Sequence, residues 1–397
     1  MISSASRPYI DASVPVLRAH GLAITTAFYR NVFAELPALT NLFNMGNQAN
    51  GAQQQSLASA VFAYAANIGT PAALGPVVGR IVHKHVSVGI RAEHYPIVGR
   101  HLLGAIAEVL GEAATPELLA AWAEAYGSLA TLFIKAEKEL YAHAGIEPGQ
   151  TRAMRVTGVT TQSADVISID MAPVDGLALA VHKGGQYVSV SVSFGDGRRQ
   201  IRQYSLSDAP REGSMRISVK REGAQGQVPA GEVSNWLHQH AAPGAVLEVS
   251  PPFGDFTPDT ESDEPVVLLS AGVGITPMVA CLNRIAQHQP ARHVIFAHAA
   301  RDLAHHAHCA DVAQAQACMP NLRVVTFYED CKGAEGALAG RMDASRLPAW
   351  PRTETNVYLC GPLAFMQSQW DCLLGAGVPP SRLHREVFGP EALEHLL

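Results

Sequence analysis

Val266-Val267-Leu268-Leu269-Ser270-Ala271-Gly272-Val273-Gly274-Ile275-Thr276-Pro277 starts apolar on both faces, passes two glycines and ends on residues that suit a first helical turn. A strand covered by other layers on both sides reads this way, whereas a strand with one wet face alternates. Glycine lets the backbone approach an anion closely. The start of a helix adds unpaired amides and partial positive charge, so this turn can hold a pyrophosphate. Pro277 suits the first turn, where its missing N–H is not needed. The third glycine of the usual dinucleotide fingerprint is absent, and the same residues also describe a plain strand-to-helix turn. Further apolar runs at 294–297, 323–327 and 357–360 alternate with helical stretches, which predicts a doubly wound α/β unit over 265–397.

Upstream of Val266 the polar stretch 259–265 reads as a linker. Before it, short alternating runs at 155–159, 166–170, 187–192, 215–220 and 246–249 are separated by Gly, Pro and Asp. They predict a small antiparallel β-barrel or sandwich over 151–260. From Ile10 to about Ala144 the apolar residues recur at helical spacing, with breakers at Pro37, 46–51, 69–76 and Pro116. The chain therefore reads as an all-α unit over 1–147, then an antiparallel β unit, then an α/β unit. Three units suit 397 residues, too many for one compact core.

A net charge of −6 offers no basic field for nucleic acid. No apolar run approaches the roughly 20 residues needed to span a bilayer, and the first thirty residues lack a cleavable leader pattern, so a cytoplasmic location is expected. Cys281, Cys309, Cys318, Cys331, Cys360 and Cys372 have no metal-type spacing and are expected to be reduced, buried thiols. Among the 17 histidines, His83, His85, His94 and His101 have similar claims to bind a metal on composition alone.

Arg202-Gln203-Tyr204-Ser205 and Leu359-Cys360-Gly361-Pro362, taken with the glycine turn, resemble the ferredoxin reductase family. The resemblance implies FAD and NAD(P)H as cofactors. Arg202 would bind flavin phosphate, Tyr204 would lie against the isoalloxazine, and Ser205 would reach a ring nitrogen, with Gln203 between them. An arginine two residues before a tyrosine shares its strand face, so both contacts can be made together. Gly184-Gly185-Gln186-Tyr187 fits the same pattern and adds Tyr187. Ser234 stands where a helix N-cap is expected and where the FAD pyrophosphate would lie. Gly272, Gly274, Thr276 and Pro277 would hold the nicotinamide dinucleotide. Arg301 would meet a 2′-phosphate or simply be solvated, which leaves NADH against NADPH open.

Leu42-Phe43-Asn44-Met45-Gly46 and Lys84-His85-Val86-Ser87 look like the globin half of flavohaemoglobins, and the likeness runs from the first helix to Glu386-Val387-Phe388-Gly389-Pro390. It selects His85 as the proximal ligand of haem b. It puts Tyr29 over the distal face with Gln53 and Leu57, which lie four apart on one helix face, and it prefers Gln53 to Gln54 or Gln55. It pairs Tyr95 and Glu137 behind His85, although Glu137, between Lys135 and Lys138, otherwise reads as a solvated helix residue. Lys84 and Glu386 would lie between flavin and haem. Phe388, beside Val387 and Gly389, would stand where nicotinamide enters.

The family's activity is nitric oxide dioxygenation: NO and O2 become nitrate, with electrons passed from NAD(P)H through FAD to haem. The resemblance also allows a lipid in the distal pocket and a monomeric state. Two rival functions remain open from the residues: oxygen or lipid binding or sensing with a haem-reducing module, and flavin-dependent reduction of quinones, ferric chelates or peroxides.

Overall fold

The computed structural model describes residues 2–43, 45–70, 75–224, 226 and 228–389. Asn44, residues 71–74 of the expected breaker, and Pro390 lie outside these residues. Among the described residues the helical unit contains α1 (Arg7–Glu35), α2 (Met45–Ala49), α3 (Ala52–Ala66), α4 (Gly75–Val88), α5 (His94–Leu110) and α6 (Pro116–Ala144). The ends follow local chemistry. Thr115 Oγ1 accepts from Leu118 N at 3.3 Å, Pro116 opens α6, and Gly145 closes it with φ 66°. Ile10, Leu17, Ile24, Phe28 and Val32 of α1 pack with Phe62, Leu102, Ile106 and Trp122. The Trp122 indole donates to Ser13 Oγ at 3.2 Å, so the polar atom of this large buried ring is satisfied.

The antiparallel unit contains β1 (Arg152–Thr161), β2 (Val166–Pro173), β3 (Tyr187–Ser193), β4 (Arg199–Ser205), β5 (Met215–Lys220), α7 (Glu232–His240) and β6 (Val246–Val249). Its sheet order is β4-β3-β6-β1-β2-β5. Just past β4, Leu206 bridges to Ile217 of β5, and Ser207 N donates to Arg216 O at 2.9 Å. The two outer strands are thereby brought round toward each other, as in the expected barrel.

The last unit contains β7 (Val266–Ala271), α8 (Ile275–His288), β8 (Val294–Ala300), α9 (Cys309–Cys318), β9 (Leu322–Tyr328), β10 (Leu338–Ala339), β11 (Asn356–Cys360), α10 (Leu363–Gly375) and β12 (Leu383–Glu386). All six strands run parallel in the order β10-β9-β8-β7-β11-β12. Every residue of β7 is buried, as its unbroken apolar run predicts. The order reverses between β7 and β11. A crevice at such a reversal lies beyond the carboxyl ends of the strands.

The cysteines differ from expectation. All six cysteines are free, but only Cys281 and Cys360 are buried; Cys309 and Cys318 are exposed at the two ends of α9. Strands β4, β10 and β12 add to the runs expected from alternation. Among the described residues no helix is long and apolar enough to cross a membrane, and no cluster of three His, Cys, Asp or Glu could hold a metal ion.

Candidate active site

Spacing on α6 determines the first cluster. Ala130, Phe133, Glu137 and Tyr141 recur at helical intervals and are all buried, while Lys135 and Lys138 point outward. Glu137 is thus on the inner stripe, 3% exposed. Its Oε1 lies 2.7 Å from His85 Nδ1 on α4 and accepts from Tyr95 OH on α5 at 2.5 Å. Tyr95 OH is also 3.1 Å from His85 Nδ1. Burial first, then the Glu137 carboxylate, pushes the Tyr95 phenol far above its usual range, so it stays a donor. Two further tyrosines fix the backbone around the cluster. Tyr126 OH donates to Tyr95 O at 2.7 Å and Tyr141 OH to Ile90 O at 2.8 Å. The rest of the sequence offered no mark of these two roles.

With Nδ1 engaged, His85 presents Nε2 as its remaining nitrogen, and the ring is about a third exposed although its helix packs inside the fold. The other three histidines differ. His83 Nδ1 accepts from Gly254 N at 3.1 Å, His94 Nδ1 accepts from Arg91 N at 3.2 Å, and His101 lies 3.2 Å from the half-exposed Glu35. Only His85 of the four is backed by a buried carboxylate.

Tyr29 is 4% exposed on α1 and is hydrogen-bonded to Gln53. Burial raises its phenol to about 12, partly offset by Gln53, so the group is protonated at neutral pH. Phe28, Phe33 and Phe43 surround the ring at centroid distances of 4.9 to 5.7 Å. Leu57 packs in the same cluster. Gln54 instead binds Gln48, through Oε1 at 3.0 Å and the backbone oxygen at 3.2 Å. The structure thus brings Gln53, rather than its neighbour, to Tyr29.

The helical and β units meet beside the His85 cluster. Phe253 joins Val82, Val86 and Phe133 in one apolar core. Lys84 Nζ donates to Gly389 O at 2.6 Å. Tyr187 is hydrogen-bonded to Ser87, and its phenol is raised by burial and then by the charge of Glu386, itself 8% exposed. Ser87 and Tyr187 are a hundred residues apart, and no local pattern announces their meeting. Val387 is 9% exposed and Phe388 43% exposed.

On β4, Arg202 pairs with Val190 and Tyr204 with Val188, while Tyr187 pairs with Ser205. Arg202 Nη1 donates to Gln200 Oε1 at 3.1 Å and to Ile201 O at 2.8 Å; Gln203, paired with Ser189, alternates onto the opposite face of β4. Gly185, at φ 97°, has no room for a side chain, since a Cβ would sit 2.1 Å from Phe256 O. The expected cap moves: α7 starts at Glu232 with Gly231 at the N-cap, and Ser234 lies in the first turn. Ser234 Oγ donates to Gly231 O and accepts from Glu222 N, both at 3.2 Å.

Gly272 adopts φ 53° at the end of β7. A Cβ on Gly274 would lie 2.2 Å from Cys360 O, so the turn is pressed against the end of β11 at the sheet's reversal. Thr276 Oγ1 donates to Val273 O at 3.0 Å, and Pro277 is buried in the first turn of α8. Arg301 is ion-paired with Asp165 at 3.3 Å and is exposed.

The globin family matches residues 26–168, and the oxidoreductase NAD-binding domain family matches residues 268–370. A flavohemoprotein of Bordetella parapertussis is 48% identical over 98% of this chain and 99% of that protein. The chain belongs to the flavohaemoprotein family. The crystal structure of a flavohemoglobin from Malassezia yamatoensis with bound FAD and haem has a TM-score of 0.86 at 30% identity, covering 98% of this chain and all of that one. The FAD/NAD-binding domain of a nitric oxide dioxygenase from Vibrio cholerae covers 61% of this chain at 37% identity, with a TM-score of 0.57. This flavohaemoprotein is therefore a globin followed by an FAD- and NAD-binding reductase of ferredoxin reductase type, an NAD(P)H-dependent oxidoreductase.

Proposed function

We propose that this chain is a nitric oxide dioxygenase built from a globin unit at 1–147, an FAD unit at 151–260 and an NAD(P)H unit at 265–397. The His85–Glu137–Tyr95 arrangement carries the reading, because a histidine that only tethered an oxygen-storing haem would need no buried carboxylate behind it. The donor sets fit three groups. Nε2 of His85 is the nitrogen left for haem iron; the β4 face with Tyr187 fits a flavin; the turn at Gly272 and Gly274 fits a dinucleotide pyrophosphate. When bound, these groups supply a hydride donor, a converter of electron pairs into single electrons, and an iron at which dioxygen meets NO.

The chain's own residues do the rest. Glu137 draws the Nδ1 proton of His85 toward itself, which increases the donor strength of Nε2. Tyr95 fixes the same carboxylate oxygen. Tyr29, kept protonated by burial and oriented by Gln53, aims a hydroxyl donor into the distal space, where a donor in a dry pocket acts on developing negative charge more strongly than in water. Leu57 and the phenylalanines exclude water there. Lys84, held by the Gly389 carbonyl, and Glu386 would set the local charge beside a bound flavin, and the half-exposed Phe388 would cover that flavin where nicotinamide enters.

The reading is tested by NO consumption of the haem- and FAD-loaded protein in air, compared with its reduction of ferric chelates. Rapid NAD(P)H-dependent removal of NO is expected. Slow removal alongside rapid chelate reduction would refute it.

A further inference from the structure

The flavin motif on β4 and the nucleotide turn before α8 are joined by a buried polar network that neither motif explains. Asp208 lies three residues beyond Ser205, and Asn283 lies on the helix that the nucleotide turn starts. Asn283 Nδ2 donates to Asp208 Oδ1 at 2.8 Å and to Asp311 Oδ1 on α9 at 3.0 Å. Asp311 also accepts from Arg216 Nη2 on β5 at 2.8 Å, and Arg216 donates to Ser207 O at 2.5 Å. Asp208 is 3% and Arg216 9% exposed.

His308 sits at the centre of this network, wholly buried. Its Nδ1 lies 2.9 Å from Asp311 Oδ2 and its Nε2 3.0 Å from Ser218 Oγ on β5. Among the described residues it is the sole non-glycine with positive φ, at 62°. A side chain in that region is disfavoured and persists where its surroundings hold it. Here the holding groups belong to β5 and α9, so the strained residue exists to span the two units.

We propose that His308, Asp311, Asn283, Arg216 and Asp208 form a clasp that sets the separation of nicotinamide and flavin, and are positioning residues for hydride transfer. The proposal rests on the reading of this chain as an NAD(P)H-to-FAD reductase. The physical basis is rigidity. Charged and buried partners fix one docking geometry, because a slide breaks the Asn283–Asp208, Arg216–Asp311 and His308–Ser218 contacts together. A reacting pair displaced by about 1 Å loses on the order of a hundredfold in rate.

Four variants test the clasp in the FAD- and haem-loaded protein. His308→Gly relieves the backbone strain and removes the contacts. Asn283→Ala removes the bonds to Asp208 and Asp311, Ser218→Ala removes the bond to His308, and both serve if the glycine variant does not fold. Flavin bleaching by saturating NAD(P)H in stopped flow is expected to slow about tenfold or more in His308→Gly and Asn283→Ala. His308→Asn, which tolerates the left-handed backbone and keeps a donor, is expected to recover part of the rate. Transfer from photoreduced flavin to haem should stay within about twofold of the parent, and amide exchange in β5 and α9 should rise together, a readout needing no nucleotide. Bleaching rates within about twofold of the parent, or a rise in KM alone, overturn the clasp. A parent that does not bleach at all with NAD(P)H refutes the underlying reductase reading instead.

Discussion

Replacing Glu137 separates a buried carboxylate that organises the proximal cluster from one that merely fills space. In Glu137→Ala, Tyr95 OH and His85 Nδ1 lose their shared acceptor. Each donor left unsatisfied costs about 1–3 kcal/mol when buried, and less at the third-exposed His85, so the globin transition should be destabilised by roughly 2–5 kcal/mol, before the cavity adds its share. In Glu137→Gln the amide oxygen can still accept from both donors. What is lost is the charge, and neutral bonds are about half as strong as charge-assisted ones, so a loss of roughly 1–2 kcal/mol is expected. Urea unfolding of the helical unit, followed by far-UV circular dichroism with and without haem, reads both values. The iron–histidine stretch of the ferrous holoprotein should fall in frequency in both variants, because an imidazole without a carboxylate behind it donates less. An alanine variant as stable as the glutamine variant, with the stretch unmoved in both, would refute the proximal role of Glu137.

Four other outcomes follow from the geometry. His85→Ala should abolish the haem absorbance while leaving FAD bound and reducible by NAD(P)H; loss of neither would sink the ligand assignment. Tyr29→Phe should retain haem but slow NO removal by roughly a hundredfold, the usual scale for one lost oxyanion-type donor, and an unchanged rate would contradict its distal role. Gly274→Ala forces a Cβ against Cys360 O, so NAD(P)H should bind at least about tenfold more weakly, seen by titration, with FAD content unchanged. Burial lowers His306 and His182 to about 4, below the unfolded value near 6.5. The unfolded chain then binds more protons between those values, so stability is full above about pH 6.5 and falls toward pH 4, by roughly 3 kcal/mol per histidine. Denaturation midpoints independent of pH across that window would contradict it.

How much of this was legible depended on whether the signal was local. β7 announces itself because a strand buried on both faces must be apolar throughout, and the following glycines are required by the Cys360 carbonyl against them. β4 shows no apolar alternation because Arg199, Gln200 and Arg202 are there to meet partners, so polarity masks the strand. Glu137 was readable as a buried residue only by following the stripe of Ala130, Phe133 and Tyr141; its charged neighbours in sequence suggest the opposite. His85 could not be chosen among its rivals without resemblance, because the carboxylate behind it comes from a helix fifty residues away. The meeting of Ser87 with Tyr187 and of His308 with Ser218 is a product of how the units pack, and no single segment encodes it.

In the proposed reaction both oxygen atoms of one dioxygen are delivered to NO at the His85–Tyr29 site. Turnover of the holoprotein with NAD(P)H, NO and ¹⁸O₂, followed by mass spectrometry of the product, tests it most directly. Nitrate is expected as the main product, one for each NO and with one NAD(P)H consumed for every two, carrying two labelled oxygens. Nitrite, or nitrate with a single labelled oxygen, would contradict it.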